Sequence, residues 1–333
     1  MKATFEEKGV LLGAEGRALH EQGGYGRLSK QGVVLSFEEA LYLLHRGKIQ
    51  VEGHDFDSFL SVLAIAPGFL RRFLVYRDIR ERGYIIQPGP HDFRVFRRGE
   101  RPGTGRSRYS VRVISERELI DFSSVAGEIT ASGHMRKQYL LAVVDDEDEL
   151  TYYEVREVSL PGVAPPPSGF SVEGERYRLT VVGKIPSGHP LEEAWFGTRL
   201  DADRLMLSPV ESAYLLGRQM LRLSKETLSA EEFRAMMAGE DPEFGEKVEV
   251  YTHLRDRGYI VRTGYKFGHH FRVYSGKKPH SEMLVHAIGG GVTLSMSLVS
   301  RSVRLAHSVR KKMLFACADG NMIQYIEFSR IKL

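Results

Sequence analysis

The sequence predicts a mixed α/β (α+β) protein made by tandem duplication, each copy pairing a small N-terminal α/β domain with a second domain whose mixed sheet is flanked by helices. Three observations predict it. First, four blocks recur in the same order: "LSFEEALYLLHRGKI" from Leu35 with "LSPVESAYLLGRQML" from Leu207, "IRERGYII" from Ile79 with "LRDRGYIV" from Leu254, "DFRVF" from Asp92 with "HFRVY" from His270, and "MRKQYLLA" with "VRKKMLFA". The spacings are 172, 175, 178 and 174 residues. Such a period is far longer than that of a solenoid repeat, so each copy should be a folded unit. Second, a Pro- and Gly-rich stretch, "LPGVAPPPSGF" from Leu160 to Phe170, separates the copies; that composition blocks regular structure and stiffens the chain. Third, each copy alternates short β-branched and aromatic runs with helical patterns.

The expected divisions are 1–66, 67–158, a linker at 159–170, 171–240 and 241–333. In the first division short strands precede a helix over Ser36 to His45, opened by a Ser in capping position. The last division should read helix, three strands, helix, two strands. Its first helix covers about Glu246 to Arg257 and stops at Gly258. "YIVRTG", "FRVY" and "MLVHAI" follow as strands. A helix over Leu298 to Val309 puts Val299, Val303 and Ala306 on one face. "KMLFACA" and "IQYIEF" are the closing strands. "IGGGV" from Ile288 lacks the Lys-Ser/Thr of a phosphate loop and reads as a loop between strand and helix. Trp195, the only tryptophan, reads as core of the division at 171–240.

The formal net charge is +4, but from Glu246 to Leu333 there are 15 Lys/Arg against 6 Asp/Glu, a local +9 that leaves −5 for the rest. A basic terminal quarter on an otherwise acidic chain points to a polyanionic partner, most often nucleic acid. The single cysteine, Cys317, excludes an internal disulfide and a cysteine zinc cluster. With no HExxH or CxxC motif, no metal or cofactor is expected. The start "MKATFEEKGVLLG" lacks a signal-peptide core. "FLSVLAIAPGFL" is too short to span a bilayer. A soluble, cytoplasmic protein is expected.

The basic block "HSVRKKMLFA", His307 to Ala316, falls where the last helix meets its strand, and "GHMRKQYLLA", Gly133 to Ala142, repeats it more loosely. Cations near a helix C-terminus complement the macrodipole, which alone would account for an isolated pair. Lys311, however, has the counterpart Lys137, and Tyr274 and His280 lie upstream in or beside adjoining strands. "GYIVRTGYKFGHHFRVY", "HSEMLVHAI" and "VRLAHSVRKKMLFA" closely resemble the catalytic domain of the archaeal tRNA-splicing endonucleases (tRNA-intron endonucleases). "GYGRLSKQGVVLSFEEALYLL" resembles their N-terminal domain. The double length is similar to the variant in which two units are fused and the chain forms a homodimer.

The resemblance implies a nuclease-like second domain in each copy, catalytic at 241–333 and degenerate at 67–158. It implies the triad Tyr274 as general base, His280 as general acid and Lys311 as electrostatic stabiliser. His286 and His307 fit the motif less well, and the loop "SGKKP" is short for the family. Tyrosine is a poor base at its reference pKa of ~10, so the role requires a cation beside Tyr274, Lys311 or an arginine. Histidine, at ~6.5, suits proton transfer near neutrality. The implied reaction is 2′-OH attack, metal-independent, giving a 2′,3′-cyclic phosphate and a 5′-hydroxyl, with precursor tRNA carrying a bulge–helix–bulge as substrate. The first copy has Phe96 for Tyr274 and, near the histidine position, Tyr109; it keeps only Lys137 and should be catalytically dead.

On residues alone "DDEDE", Asp145 to Glu149, is a solvated turn between the last two strands of the first copy. The resemblance implies that Asp145, Asp146, Glu147 and Asp148 form an acidic loop docking in a basic groove of a partner chain. It also implies two arginines that sandwich a flipped base, Arg304 for one and, where the chain ends align, Arg330 for the other; the plain alternative is surface arginines. The rival readings are a metal-dependent nuclease and a non-catalytic structural or RNA-binding subunit.

Overall fold

The computed structural model describes residues 1–319 and 322–333. The chain divides into two compact units: Met1–Arg156 with Thr293–Ser300 and Phe328–Leu333, and Glu157–Val292 with Arg301–Glu327. Among the described residues no helix is long and apolar enough to cross a membrane.

Each unit opens with a five-stranded sheet. In the first, the order is Arg27–Leu28, Val33–Leu35, Gly9–Leu12, Lys2–Glu6, Gln50–Val51; in the second it is Thr198–Arg199, Arg204–Leu207, Thr180–Lys184, Val172–Tyr177, Leu221–Leu223. The expected helix is Phe37–His45, with Ser36 as N-cap. Its capping box is reciprocal: Glu39 N–H donates to Ser36 Oγ (3.3 Å) and Ser36 N–H to the Glu39 carboxylate (2.8 Å). Ser208 and Glu211 repeat the box on Pro209–Gly217. Both glutamates are buried and also accept a loop amide, Gly26 N–H for Glu39 and Gly197 N–H for Glu211, each at 2.9 Å. A carboxylate can be buried there because backbone donors surround it.

The second part of each unit is a mixed sheet on a helix. In the second unit the helix is Phe244–Asp256, and the strand order is Ile260–Thr263, Phe271–Tyr274, Met283–Gly289, Lys312–Asp319, then Met322–Ile331. Met283–Gly289 and Lys312–Asp319 run parallel, joined through the helix Met296–Ser308, while the earlier pairs are antiparallel. The first unit repeats this with helix Phe69–Glu81, strands Ile86–Pro88, Phe93–Phe96 and Ser107–Ser115, helix Phe122–His134, and strands Gln138–Val144 and Leu150–Glu157. The cores correspond: Tyr76, Ile79, Val95, Val111 and Leu140 in one, Tyr251, Leu254, Val273, Val285 and Leu314 in the other, all buried. Each such side chain contributes ~1.5–3 kcal/mol on burial.

Two short strands were not anticipated, Leu119–Asp121 and Thr293–Ser295, which pair antiparallel within the first unit. "IGGGV" is thus partly strand: Met283–Gly289 runs into it before the turn. The terminal helix starts two residues earlier than expected and ends one earlier, at Ser308.

Candidate active site

The stop of that helix explains half of the basic block. Arg310 adopts a left-handed φ of 55°, its N–H donates to His307 O (3.0 Å), and Lys311 N–H reaches back to Ala306 O (2.8 Å). This is a Schellman stop with arginine in the place usually given to glycine. Arg136 (φ 56°) and Lys137 repeat it, with bonds to Gly133 O (2.8 Å) and Ser132 O (2.9 Å). Both copies therefore stop the helix in the same way, and the stop leaves the lysine side chain at the head of the next strand.

In the second unit that strand head meets two other strand ends. Tyr274 closes Phe271–Tyr274, and Val273 is paired with Met283, which is paired in turn with Lys312. Lys312 N–H donates to Glu282 O and Glu282 N–H to Val273 O, both 3.0 Å. Tyr274, the His280–Glu282 segment and Lys311 are thus brought to one end of three neighbouring strands. Tyr274 is buried, His280 exposed and Lys311 half-buried. Lys311 Nζ donates to the carbonyl of Ser281 (2.6 Å), the residue after His280, and lies 5.8 Å from the Phe267 ring centre. Burial, and then the Arg272 charge, hold its ammonium below the ordinary lysine value.

Several supporting residues carried no sequence signal. Glu282 clasps the loop of His280: its carboxylate accepts from Ser275 N–H (3.0 Å) and pairs with Lys278, and these donors, Lys278 first, bring its pKa down to about 2. Trp195 differs from the sequence expectation. It is not core; Phe196 fills that role, while Trp195 is half-buried with its ring centre 5.7 Å from that of Tyr274. Its backbone is left-handed (φ 61°) and held by Arg262, which donates to Trp195 O (3.0 Å) and Gly197 O (2.8 Å). In the first unit Gln87 makes the same bonds to Gly24 O and Gly26 O, and Gly24 has φ 64°. The second copy thus has a tryptophan where the first has a left-handed glycine, and the ring beside Tyr274 is carried on a backbone conformation uncommon for its residue type.

The other named residues are dispersed. Arg304 is exposed on Met296–Ser308, two turns before Lys311; Arg330 is exposed on the final strand, in the part belonging to the first unit. His286 is stacked on His270 at 4.2 Å, and His307 is exposed on the last helical turn. Asp145–Glu149 is a turn between strands Gln138–Val144 and Leu150–Glu157. Asp145 Oδ1 accepts from the amides of Glu147 (3.0 Å) and Glu149 (2.9 Å), and Asp146 pairs with Arg117. Among the described residues no group of three or more His, Cys, Asp or Glu is placed to hold a metal ion.

Comparison with known proteins decides the family. The catalytic C-terminal domain of the tRNA intron endonucleases matches residues 69–152 and again 244–325, and their N-terminal domain matches 1–61 and 179–234. The chain belongs to the tRNA intron endonuclease family. Proteins named tRNA-splicing endonuclease are similar over their whole length: 38% identical over 353 residues in Methanococcoides burtonii and 37% over 350 in Methanosarcina acetivorans, covering all of both chains, and 35% over 350 in Natronomonas pharaonis, covering 99% of each.

Within this tRNA intron endonuclease the two copies can be compared strand by strand, and one expectation changes. Gln138 is paired with Tyr109 as Lys312 is with Met283. Tyr109 is therefore the counterpart of Met283, and three residues earlier Arg106, not Tyr109, stands in the place of His280. The longer loop of the first copy hides this in the sequence, because only hydrogen-bond register fixes the count from the strand.

Proposed function

We propose that the chain is a tRNA-splicing endonuclease that cuts precursor tRNA at a bulge–helix–bulge without a metal ion. The observation that carries this reading is the meeting of Tyr274, the His280 segment and Lys311 at one end of three strands, in the copy that keeps all three side chains. In the reaction the ribose 2′-oxygen attacks the adjacent phosphorus. Tyr274 takes the 2′-OH proton, the O2′–P bond forms, the P–O5′ bond breaks, and His280 delivers a proton to O5′. The products are a 2′,3′-cyclic phosphate and a 5′-hydroxyl. Lys311 stabilises the extra charge on the phosphorane oxygens; one such electrostatic contact is worth ~10²–10³-fold, and a positioned acid or base ~10²–10⁴-fold.

Arg304 and Arg330 fit the role of base clamps, by their exposure and their positions in the family pattern. Two chains related by a two-fold axis would present one live site per cut of a substrate with two symmetric bulges. The acidic turn Asp145–Asp148 is the docking element of that homodimer. Reversing Asp146 and Glu147 to lysine should convert the sedimenting dimer to monomer; a dimer that persists would remove the turn from the interface. For the reaction, the test is cleavage in EDTA. Activity lost with EDTA and regained with Mg²⁺ would favour a metal-dependent nuclease. RNA bound but never cut would favour a non-catalytic subunit.

A further inference from the structure

The first copy has lost the proton-transfer groups but kept the cations. Arg94 and Lys137 stand where Arg272 and Lys311 stand in the second copy. In both copies the lysine ammonium is held below its ordinary value by burial and then by that arginine, and Nε of each arginine is buried without a hydrogen-bond partner among the described residues. The first copy then adds charge. Arg106 replaces the histidine, and ten residues rather than six separate the strand-closing aromatic from the following serine (97–106 against 275–280). Those ten include Arg97, Arg98, Arg101 and Arg106 against the single acid Glu100.

These side chains surround open space. Arg94, Phe96, Arg106, Arg136 and Lys137 line a cavity of about 360 Å³, and an adjoining one of about 720 Å³ shares Arg106, Arg136 and Lys137 with it and adds Arg97, Arg108 and one acid, Glu100. Arg94 bonds to the Gln87 side chain (2.8 Å), and Lys137 Nζ meets Met135 Sδ (3.9 Å). Among the described residues none of Arg94, Arg97, Arg106, Arg136 and Lys137 is paired with a carboxylate. A concave cluster of unneutralised cations repels itself and concentrates anions. Phe96, the aromatic side chain in this lining, is buried and has no hydroxyl. The pocket's chemistry suits phosphate oxygens, to which Arg and Lys donate charge-assisted bonds.

We infer that the degenerate site of the first copy binds a backbone phosphate of the precursor RNA, held by Lys137, Arg106 and Arg94. The copy has kept the phosphate-binding half of an active site and discarded the half that moves protons. The inference rests on the proposed function only in taking RNA as the substrate.

The test uses the full chain and a labelled bulge–helix–bulge RNA made 2′-deoxy at the cut positions, so that binding alone is read. Affinity is measured over a salt series for the unmodified protein, Arg106→Gln, Arg106→Gln with Lys137→Gln, and the charge-conserving Arg106→Lys. Arg106 is exposed on a loop, so its replacement should leave the circular dichroism unchanged. The double variant should bind about tenfold more weakly, with the slope of log affinity against log salt shallower by about 1 per lost contact, and Arg106→Lys should restore most of the difference. Unchanged affinity and slope would overturn the inference. So would variants that alter sedimentation but not RNA binding, which would mean that the pocket holds an acidic segment of a second chain. An unmodified protein that does not bind the RNA defeats the functional reading itself, and that result precedes any variant.

Discussion

Replacing Lys311 by methionine separates catalysis from folding. Its ammonium is held below the ordinary lysine value by burial and by Arg272. A lysine whose folded pKa lies below its unfolded one binds fewer protons in the native state, so the fold gains stability as pH rises towards the unfolded value. The charge is thus tolerated by the fold, not a source of its stability. What is lost is the bond to Ser281 O at 2.6 Å, worth ~1.5 kcal/mol to a charged donor; relief of desolvation and of repulsion from Arg272 opposes that loss. The net change in unfolding free energy should stay within about 1 kcal/mol. The transition state loses its phosphorane contact, ~10²–10³-fold in rate or ~2.7–4 kcal/mol. The assay is single-turnover cleavage of a bulge–helix–bulge RNA at saturating protein, alongside urea melts. Lys312→Met, at the exposed next residue, is the control and should cut within about threefold of the unmodified rate. A Lys311→Met protein that cuts as fast as the Lys312→Met control would refute the assignment. A rate loss matched by collapse of the melt would refute the separation.

Further outcomes follow from the same geometry. Tyr274→Phe should reduce the single-turnover rate by ~10²–10⁴-fold, and Phe96→Tyr should add no activity, because Arg106 stands where the acid would be; new cuts from Phe96→Tyr in a Tyr274→Phe background would contradict the reading of the first copy. Trp195→Gly removes the ring beside Tyr274 and suits the left-handed backbone; it should lower the cleavage rate by ~10–10²-fold with the circular dichroism unchanged, and an unaltered rate would leave Trp195 without a positioning role. Burial and the neighbouring His286 bring the pKa of His269 down to about 4, and the residue is 7% exposed with both ring nitrogens unpartnered among the described residues. Its contribution is complete above the unfolded value of ~6.5 and is lost as pH falls towards 4, ~2 kcal/mol of it by pH 5. His269→Phe should flatten that acid slope in urea melts, and a slope as steep as before would place the acid sensitivity elsewhere.

Duplication made most of the fold legible. Four repeated blocks located both copies, and the helices Phe37–His45, Phe244–Asp256 and Met296–Ser308 were readable because caps, stops and apolar spacing are local signals. Strands of three residues, such as Thr293–Ser295, carry too little pattern to read, and their pairing is non-local. The candidate triad came from a motif, but the supporting residues came from folding. Trp195 approaches Tyr274 across 79 residues of chain through a left-handed turn that no propensity favours in tryptophan. Arg106, and not Tyr109, is the counterpart of His280, because register, not residue similarity, decides which positions correspond. The charge of the Arg-Lys pair is legible in the sequence, whereas the left-handed stop at Arg310 and Arg136 is not, because glycine is the residue that usually signals one.

The central claim is that this chain cuts RNA with Tyr274, His280 and Lys311 and no metal. The direct measurement is to incubate the full chain with a bulge–helix–bulge RNA in EDTA and map the new termini. The account predicts one cut in each bulge, with 2′,3′-cyclic phosphate and 5′-hydroxyl ends, absent in a His280→Ala protein. Cuts that require Mg²⁺, leave 5′-phosphates or persist in His280→Ala would contradict it.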